Sequence, residues 1–411
     1  MSLLATLAAA AALAAGPVAD SWSGLYRTRD GAIVGVGELH EFGGGEILVD
    51  YRSGEVGALF ALTDGRTGVS AAIGRREPPA QRMLEHKAGR PSLDGRPLTP
   101  IPTRRRTFEA TGDGVRLAGD MLLPEGRPRG AVVLVHGSGD GPRRAYDLWS
   151  NLFLSRGLAV VVYDKRGSGQ STGDWHDASL QALAGDTRAV LAWARSQPEL
   201  KGRPIGLWGA SQAGWIIPQV LADTAVDFAI VQGGPSTPVD DFIGATVRAE
   251  LEAYGFREDE IGRALAYYDL DYAAARGLRP VAEVEAAFKT ASAAGAGWLL
   301  GPPEPEGSPG RRALKALSGF DPAPYWPRVR APTLVIFGGK DLTTPAGINR
   351  ARLQTLLAAG HRVEIVVLPE SNHLALLAKT GVRAEYAGLN RLDPAYLAAI
   401  YGFLDHALGP R

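Results

Sequence analysis

The sequence predicts an α/β protein with a doubly wound, mostly parallel sheet, a helical cap insertion and a small N-terminal β-rich domain. After residue 107, apolar runs of strand length alternate with longer helical stretches, which is the pattern of βαβ units. Each of these runs is almost wholly apolar, as strands buried on both faces of a parallel sheet are. Before residue 107, short strands separated by glycine-bearing turns occur without a long amphipathic helix.

The composition narrows the classes of function. The 411 residues carry 44 Lys and Arg against 44 Asp and Glu, so the net charge of zero gives no global attraction to nucleic acid. With 45% hydrophobic and 21% charged residues, the chain is not globally disordered. The absence of cysteine excludes disulfides, thiolate nucleophiles and cysteine-ligated zinc or iron–sulfur sites.

Residues 1–19 predict a secretory signal peptide. Leu3 to Ala15 form an uncharged run rich in alanine and leucine, and small residues around Ala14 and Ala19 provide cleavage sites. The terminal amine is the one positive charge in front of this run, so a poorly ordered alanine-rich terminus is the alternative. A signal peptide implies a periplasmic or secreted protein, and its absence a cytoplasmic one. The run is shorter than the ~20 residues that span a bilayer, and no later segment is apolar enough to do so.

Residues 20–106 predict the β-rich domain and a linker. Strands are expected at 32–34, 46–51 and 58–62. A proline-rich stretch from Pro91 to Pro102 and the run Arg104–Arg106 follow, and they favour a solvated connector over a binding patch. Binding of a polymer is one open role for this domain.

Residues 107–235 and 326–411 predict the main α/β domain, which the 236–325 insertion interrupts. The predicted strands are Ala131–Val135, Leu158–Tyr163, Ile205–Trp208, Phe228–Gln232, Thr333–Phe337 and Val363–Leu368. The candidate helices of the insertion are Ala245–Tyr254, Glu258–Ala275 and Val281–Ala293, before prolines interrupt the pattern. We expect this cap to lie above the C-terminal edge of the sheet, where ligands bind in open α/β sheets.

The strongest chemical signal is Ser211, in the run Trp208-Gly209-Ala210-Ser211-Gln212-Ala213-Gly214. A serine between a buried strand and a helix lies on a sharp turn that exposes its hydroxyl at the top of the sheet. The neighbouring positions must be small because strand and helix crowd together there. The run departs from G-x-S-x-G at Ala213. A turn serine that caps a helix is the alternative interpretation.

A base and an acid follow in the chain order that such a nucleophile requires. Asp341 comes just after the strand Thr333–Phe337, and His373 just after the strand Val363–Leu368. We therefore predict that Ser211 attacks, His373 transfers its proton and Asp341 orients the imidazole. Individually, Asp341 is compatible with a helix cap and His373 with a surface histidine.

The loop after the first strand of the main domain predicts part of an oxyanion hole. It reads His136-Gly137-Ser138-Gly139, and glycines allow its backbone to turn toward a substrate. Gln212 is expected to supply one backbone N–H, and Ser138, with Gly137 as second choice, the other. His136 is interpreted as a structural hydrogen-bonding residue rather than a base.

Two other motifs favour structural interpretations. The glycine-rich stretches at 137–141 and 166–173 lack the spacing of a dinucleotide fingerprint and the lysine of a P-loop. Asp174, His176 and Asp177 favour a helix-capping loop over a metal site, because no second cluster accompanies them. We predict no metal and no cofactor.

In these motifs the chain resembles the α/β-hydrolases over residues 107–411. The resemblance rests on His136–Gly139, on Tyr163–Ser171, on the Ser211 turn, on Gly338–Asp341 and on Asn372-His373, in family order. More narrowly, the chain is similar to exported bacterial esterases related to dienelactone hydrolases and prolyl-oligopeptidase-like proteins, which often carry an N-terminal β-domain and a helical cap. The resemblance implies a cofactor-free serine hydrolase whose triad is Ser211, Asp341 and His373.

The function expected from these residues is hydrolysis of a small-molecule carboxylic ester through an acyl-enzyme on Ser211. Peptide, amide or thioester hydrolysis by the same triad is the alternative, because the cap determines specificity. A non-catalytic binding protein on a hydrolase scaffold is a further alternative. Four aromatic residues of the cap either line an acyl pocket or pack between helices: Tyr254, Tyr267, Tyr268 and Trp298.

Overall fold

A computed structural model describes residues 21–39, 44–87, 89–299, 301–358 and 360–409. The predicted signal peptide at 1–19 lies outside the described residues. Within these ranges the chain forms two sheets, and helices flank the second. No helix in the described part of the chain is both long and apolar enough to cross a bilayer.

The first sheet is an antiparallel meander of nine strands. Its order is β8-β7-β6-β5-β4-β3-β2-β1-β9, so its two edge strands are separated by one residue, Leu98, and the sheet curls back on itself. Apolar side chains such as Trp22, Val36 and Leu59 form its core. The strands are β1 (Gly24–Arg27), β2 (Ile33–Glu38), β3 (Glu46–Asp50), β4 (Val56–Ala61), β5 (Thr67–Val69), β6 (Arg82–Lys87), β7 (Arg90–Leu93), β8 (Arg96–Pro97) and β9 (Thr99–Ile101).

The proline-rich stretch before residue 104 forms strands, so the predicted linker is wrong there. Pro91, Pro97 and Pro100 lie in β7, β8 and β9, and the last two strands are the edges of the sheet, where a missing N–H is tolerated. Arg104–Arg106 begin the first strand of the second sheet, and Arg105 pairs with the buried Asp120 at 2.5 Å. The arginine run is therefore part of a strand and not a connector.

The second sheet has eight strands in the order β10-β11-β13-β12-β14-β15-β16-β17. β10 and β11 pair antiparallel at one side, and β12 to β17 are parallel. All six predicted strands are present. The strands are β10 (Arg104–Gly112), β11 (Val115–Leu123), β12 (Ala131–Val135), β13 (Ala159–Tyr163), β14 (Ile205–Ala210), β15 (Ala229–Gln232), β16 (Thr333–Gly338) and β17 (Val363–Leu368).

The strand order reverses at β12, which has β13 on one side and β14 on the other. A reversal of this kind leaves a crevice at the carboxyl ends of the strands, which is where ligands bind in open α/β sheets. The loops that follow β12, β14, β16 and β17 all begin at this edge. The fold thus brings the four predicted site segments to one side of the sheet.

The described helices lie around the second sheet and in the insertion between β15 and β16, as the fold class predicts. They are α1 (Asp147–Ser155), α2 (Leu180–Arg195), α3 (Ala213–Asp223), α4 (Val239–Ala253), α5 (Glu258–Ala275), α6 (Val281–Ala293), α7 (Pro309–Leu317), α8 (Ala346–Leu356), α9 (Arg383–Tyr386) and α10 (Pro394–Leu408). The insertion holds α4 to α7. Pro309 is one of the prolines expected to interrupt the helical pattern, but it begins α7, where a missing N–H is tolerated, and Ser308 caps the helix by accepting from Arg311 N–H.

The first sheet packs directly on helix α1 and on the segment before α10. Tyr51 donates from its hydroxyl to the Leu148 carbonyl at 2.8 Å, and Asn151 donates to the Val36 carbonyl at 3.1 Å, which joins the first sheet to α1. Backbone hydrogen bonds also join Val56 to Asn390 and Leu392 to Gly54. The first sheet is therefore joined to α1 and to the segment before α10.

Candidate active site

Ser211 occupies the sharp turn between β14 and α3. Its φ is +55°, a left-handed conformation that costs a serine free energy and occurs where the surrounding structure enforces it. The Ser211 N–H donates to the Gln232 carbonyl at 3.0 Å, and the Ser211 carbonyl accepts from Gly214 N–H at 2.8 Å. These bonds hold the turn between β15 and the start of α3.

Gly209 and Gly214 are each required to be small, for a different steric reason. A Cβ on Gly209 would overlap the Cβ of Ala213, so glycine at 209 makes room for the alanine. A Cβ on Gly214 would lie 2.5 Å from the Cα of Gly234, a separation that non-bonded carbons do not adopt. The departure from G-x-S-x-G at Ala213 is therefore sterically accommodated, and the required glycine is shifted to 214.

Asp341 and His373 come together at the ends of the neighbouring strands β16 and β17. His373 Nδ1 lies 2.8 Å from Asp341 Oδ2, and the Asp341 side chain has no exposed surface. The other oxygen, Oδ1, accepts from Thr344 N–H at 2.7 Å. Since a carboxylate only accepts hydrogen bonds, the imidazole donates from Nδ1, which leaves Nε2 as its acceptor.

Gln232 and Gly233, at the end of β15, connect the serine turn to this pair. The Gln232 carbonyl accepts from Ser211 N–H, while its side-chain amide donates to the His373 carbonyl at 3.2 Å. Gly233 has φ +52°, and a Cβ there would lie 3.0 Å from Asp341 Oδ2 and 3.2 Å from His373 Nδ1. Neither residue is among those predicted from the sequence, although a polar residue followed by two glycines at the end of a buried strand is a signal that points to them.

The predicted oxyanion donors lie beside Ser211. A Cβ on Gly137 would be 3.9 Å from Ser211 Cβ, so the loop after β12 adjoins the nucleophile. The Gly137 N–H already donates to the Tyr146 hydroxyl at 2.9 Å. In the described residues, no hydrogen bond uses the backbone N–H of Ser138 or of Gln212. Of the two candidates for the second donor, Gly137 therefore has its N–H engaged and Ser138 does not, among the bonds of the described residues.

His136 lies below this loop. Its Nε2 lies 2.7 Å from the Tyr163 carbonyl, and the ring is buried. Burial, aided by the nearby Lys165 charge, lowers the pKa of His136 to about 3. The imidazole is therefore neutral above that pH and donates to the carbonyl, as a structural hydrogen-bonding residue does.

A cavity of about 300 Å³ opens beside Ser138 and Gln212. Its walls come from the loops of the second sheet on one side and from α7 and the segment before it on the other. The lining residues are Ser138, Gly139, Asp140, Lys165, Trp175, His176, Ala178, Leu183, Gln212, Glu304, Gly310, Ala313 and Leu317. Arg312, on α7, bonds Asp174 at 2.7 Å and Asp177 at 2.8 Å and so fastens the cap over this cavity.

The four aromatic cap residues predicted as acyl-pocket candidates do not line this cavity. Tyr254 is 53% exposed at the end of α4. Tyr267 packs against Tyr268 and Trp298, with ring centroids 5.1 Å and 5.8 Å apart. Tyr267, Tyr268 and Trp298 are buried and therefore fit the alternative in which these rings pack between helices, where they supply a large apolar area.

Asp174 and His176 have the capping geometry that the sequence predicts. Asp174 Oδ1 accepts from the backbone N–H of His176 at 2.9 Å and lies 2.6 Å from its Nδ1. Throughout the described ranges, no three His, Asp or Glu side chains are grouped so that they could hold a metal ion.

Residues 132–385, more than half of the chain, match the family model described as the alpha/beta hydrolase family. The chain belongs to this family. Among curated relatives of this alpha/beta hydrolase, a monoacylglycerol lipase of Mycolicibacterium smegmatis is 29% identical over 65% of the chain and 89% of the lipase. A putative phosphoribosyl transferase of Mycobacterium tuberculosis is 26% identical over 39% of the chain, and the match spans only 37% of that protein's length.

Solved structures of hydrolases are also similar to this alpha/beta hydrolase. An esterase of Pyrococcus furiosus aligns over 74% of the chain and 92% of its own length, with 14% identity and a TM-score of 0.47. An alpha/beta hydrolase of Penicillium aligns over 75% of the chain and 99% of its own, with 17% identity and a TM-score of 0.48.

Proposed function

We propose that this alpha/beta hydrolase is a serine hydrolase that cleaves carboxylic esters through an acyl-enzyme on Ser211. The observation that carries the proposal is the strained conformation of Ser211 on the turn after β14, coupled through Gln232 to the hydrogen-bonded His373–Asp341 pair. A serine becomes a nucleophile when a base accepts its proton and a third group orients that base. The similarity to a monoacylglycerol lipase supports the same class of substrate.

In the proposed reaction, Ser211 Oγ attacks the ester carbonyl while His373 Nε2 accepts the hydroxyl proton. The oxyanion that forms accepts hydrogen bonds from the free N–H groups of Ser138 and Gln212. His373 then protonates the departing alcohol, and the acyl group remains on Ser211. Water, deprotonated by His373, releases the acid. Asp341 accepts from Nδ1 of the imidazole, which leaves Nε2 to accept the serine proton, and it stabilises the positive charge that results.

The dimensions of the cavity favour small substrates. About 300 Å³ is at the lower end of the ~300–1,000 Å³ typical of ligand pockets. Trp175 and Leu183 provide apolar walls on one side, and Ala313 and Leu317 of α7 provide them on the other. We therefore propose an ester whose acyl group or alcohol is short.

A panel of chromogenic substrates tests this proposal. p-Nitrophenyl esters with acyl chains of increasing length are compared with an acyl anilide and an acyl thioester. The proposal predicts turnover of the short esters and a sharp fall in kcat/KM as the acyl chain outgrows the cavity. Turnover of the anilide or thioester alone contradicts the ester assignment and supports a peptidase or thioesterase. Turnover of none supports a binding protein on a hydrolase scaffold.

We further propose that the protein is exported and that it is related to the dienelactone-hydrolase-like esterases. The uncharged run in residues 1–19 and the β-rich domain before the main domain support this. Expression of the full chain in a bacterium, followed by fractionation and N-terminal sequencing, tests it. A periplasmic product cleaved near Ala14 or Ala19 is expected, and an uncleaved cytoplasmic product contradicts the proposal.

A further inference from the structure

Lys165 is a buried lysine beside the proposed oxyanion hole. It follows β13 and is 2% exposed. Its Nζ donates to the Gly137 carbonyl at 2.9 Å, to the Gly139 carbonyl at 3.1 Å and to Gln212 Oε1 at 3.0 Å. An ammonium group has three N–H bonds, so these three acceptors use its whole donor capacity. Nothing remains for Lys165 to donate to a substrate.

The first of these acceptors belongs to the peptide group that carries an oxyanion donor. The carbonyl of Gly137 and the N–H of Ser138 share one planar peptide unit, and in a trans peptide they point in opposite directions. An ammonium group bound to the carbonyl therefore fixes the direction in which the Ser138 N–H points. It also polarises the peptide, which strengthens the N–H as a donor.

The third acceptor belongs to the residue that supplies the other donor. Gln212 directly follows Ser211, and its side chain makes no capping bond to α3. Its Oε1 bonds to Lys165 instead, and this bond restrains the residue that carries the other proposed donor. One ammonium group thus contacts both halves of the proposed oxyanion hole.

The main chain around Lys165 supports the far end of the same loop. The Lys165 N–H donates to the Gly141 carbonyl at 2.9 Å, and Gly141 N–H donates to Ser168 Oγ at 3.0 Å. The loop 137–141 is therefore attached to the segment 165–168 at both of its ends. This attachment leaves the Lys165 side chain to set the orientation of the peptide beside Ser211.

We propose that Lys165 is a positioning residue that aligns the Ser138 and Gln212 N–H groups toward the oxyanion. This inference rests on the proposed function. A buried charge is costly unless it is hydrogen-bonded, and packing alone would favour an apolar residue here. Burial lowers the pKa of Lys165 to about 7, while the Asp140 and Asp186 carboxylates favour the charged form. Below about pH 7 the site therefore holds an ammonium group with three donors, which packing alone does not require.

Lys165→Met tests the inference, because it keeps the length of the side chain and removes all three donors. The exposed Lys201→Met is the matched control. Kinetics on a short p-nitrophenyl ester are normalised to active sites titrated with a fluorophosphonate, so that loss of folded protein does not lower the measured kcat. We expect kcat per site to fall roughly 10- to 100-fold, less than the ~10²–10³ for loss of one donor, with KM within about threefold. Lys201→Met should match the wild type.

Two further readouts separate positioning from general destabilisation. The ¹⁵N–¹H resonances of Ser138 and Gln212 should shift in Lys165→Met, while that of Gly262, in the cap, should not. If Lys165→Met does not fold, Gln212→Leu removes one acceptor and keeps the backbone donor, and kcat per site should still fall with KM nearly unchanged. In a folded double variant the two effects should be less than additive in free energy.

The outcomes distinguish the two proposals. A wild type with neither turnover nor labelling overturns the proposed function, and with it the role of Lys165. An active wild type together with an equally active Lys165→Met, or Gln212→Leu where the first variant does not fold, overturns the role of Lys165 alone. A lower yield of titratable sites with unchanged kcat per site also overturns it, because that result describes a purely structural residue.

Discussion

The side-chain amide of Gln232 donates to the backbone carbonyl of His373 at 3.2 Å, and this bond joins the strand beside the serine turn to the histidine loop. The Tyr396 hydroxyl in turn donates to Gln232 Oε1 at 2.5 Å. Because the Gln232 carbonyl also accepts from Ser211 N–H, one buried residue contacts both partners of the proposed proton transfer. The relative position of Ser211 and His373 therefore depends on Gln232.

Gln232→Met is expected to reduce kcat about tenfold with little change in KM. The variant frees the His373 loop and leaves the buried Tyr396 hydroxyl without its acceptor, each at a cost of ~1 kcal/mol or more. Gln197→Met is the control, since Gln197 is another buried glutamine whose amide donates to a backbone carbonyl, that of Trp193. A similar loss of stability with unchanged kcat is expected there. Equal kinetics for both variants contradict the role of Gln232.

Gly214→Ala is expected to destabilise the protein by ~1–3 kcal/mol and to reduce kcat, because the new Cβ overlaps Gly234 and displaces the serine turn. Gly262→Ala, in α5, is the matched control. No atom lies within 4 Å of a Cβ there, so alanine should stabilise the helix by ~0.5–1 kcal/mol without changing activity. Urea unfolding measures the stability of the two variants, and ester turnover measures their activity. A Gly214→Ala variant with unchanged stability and activity contradicts the packing described for the turn.

The first sheet is expected to support the histidine loop. Leu392 N–H donates to the Gly54 carbonyl at 2.8 Å, and the neighbouring Arg391 carbonyl accepts from Leu377 N–H at 2.9 Å, just beyond His373. Gly54 has φ +78°, and a Cβ there would overlap the Leu392 carbonyl. Gly54→Ala should therefore lower kcat for a small ester as well as stability.

Gly65→Ala is the control for that variant. Gly65 has φ +82°, and no atom lies within 4 Å of its Cβ position, so alanine there has the same left-handed strain of ~1 kcal/mol without the overlap. Its kcat should equal that of the wild type. Identical kinetics for the two alanine variants favour a β-domain that acts independently of the site, such as a polymer-binding module.

The stability of the protein is expected to fall in acid partly through His136. Its pKa is lowered from 6.5 to about 3 in the folded state, so between these values the unfolded chain binds a proton that the folded chain does not. The contribution of neutral His136 to the free energy of unfolding is fully present above pH 6.5. It is lost as the pH falls toward 3, by about 1.4 kcal/mol per pH unit. Urea midpoints of His136→Gln should depend less on pH across this window, whereas the exposed His406→Gln should follow the wild type.

The sequence allows prediction of those features that follow from local pattern and chain order. The strands β12 to β17 are recognisable because each is almost wholly apolar, and Ser211, Asp341 and His373 because each follows such a strand. Their proximity then follows from parallel pairing, since the carboxyl ends of the strands meet at one edge.

Other features depend on contacts between distant segments, which local pattern does not show. Lys165 bonds to Gln212, which lies 47 positions further along the chain. Gln232 bonds to His373, which lies 141 positions further along. The cap residues of the cavity were missed because α7 begins at a proline that local pattern marks as a break. The edge strands at Pro97 and Pro100 resemble a linker until the antiparallel pairing partner is known.

Covalent labelling tests directly whether Ser211 is the nucleophile. Wild-type protein and Ser211→Ala are treated with a fluorophosphonate, and intact mass and peptide mapping identify the adduct. If Ser211 is the nucleophile, one adduct per chain forms on Ser211 in the wild type and none in the folded variant, and ester turnover is lost in proportion to labelling. An adduct on another residue, or ester turnover that persists in Ser211→Ala, would contradict it.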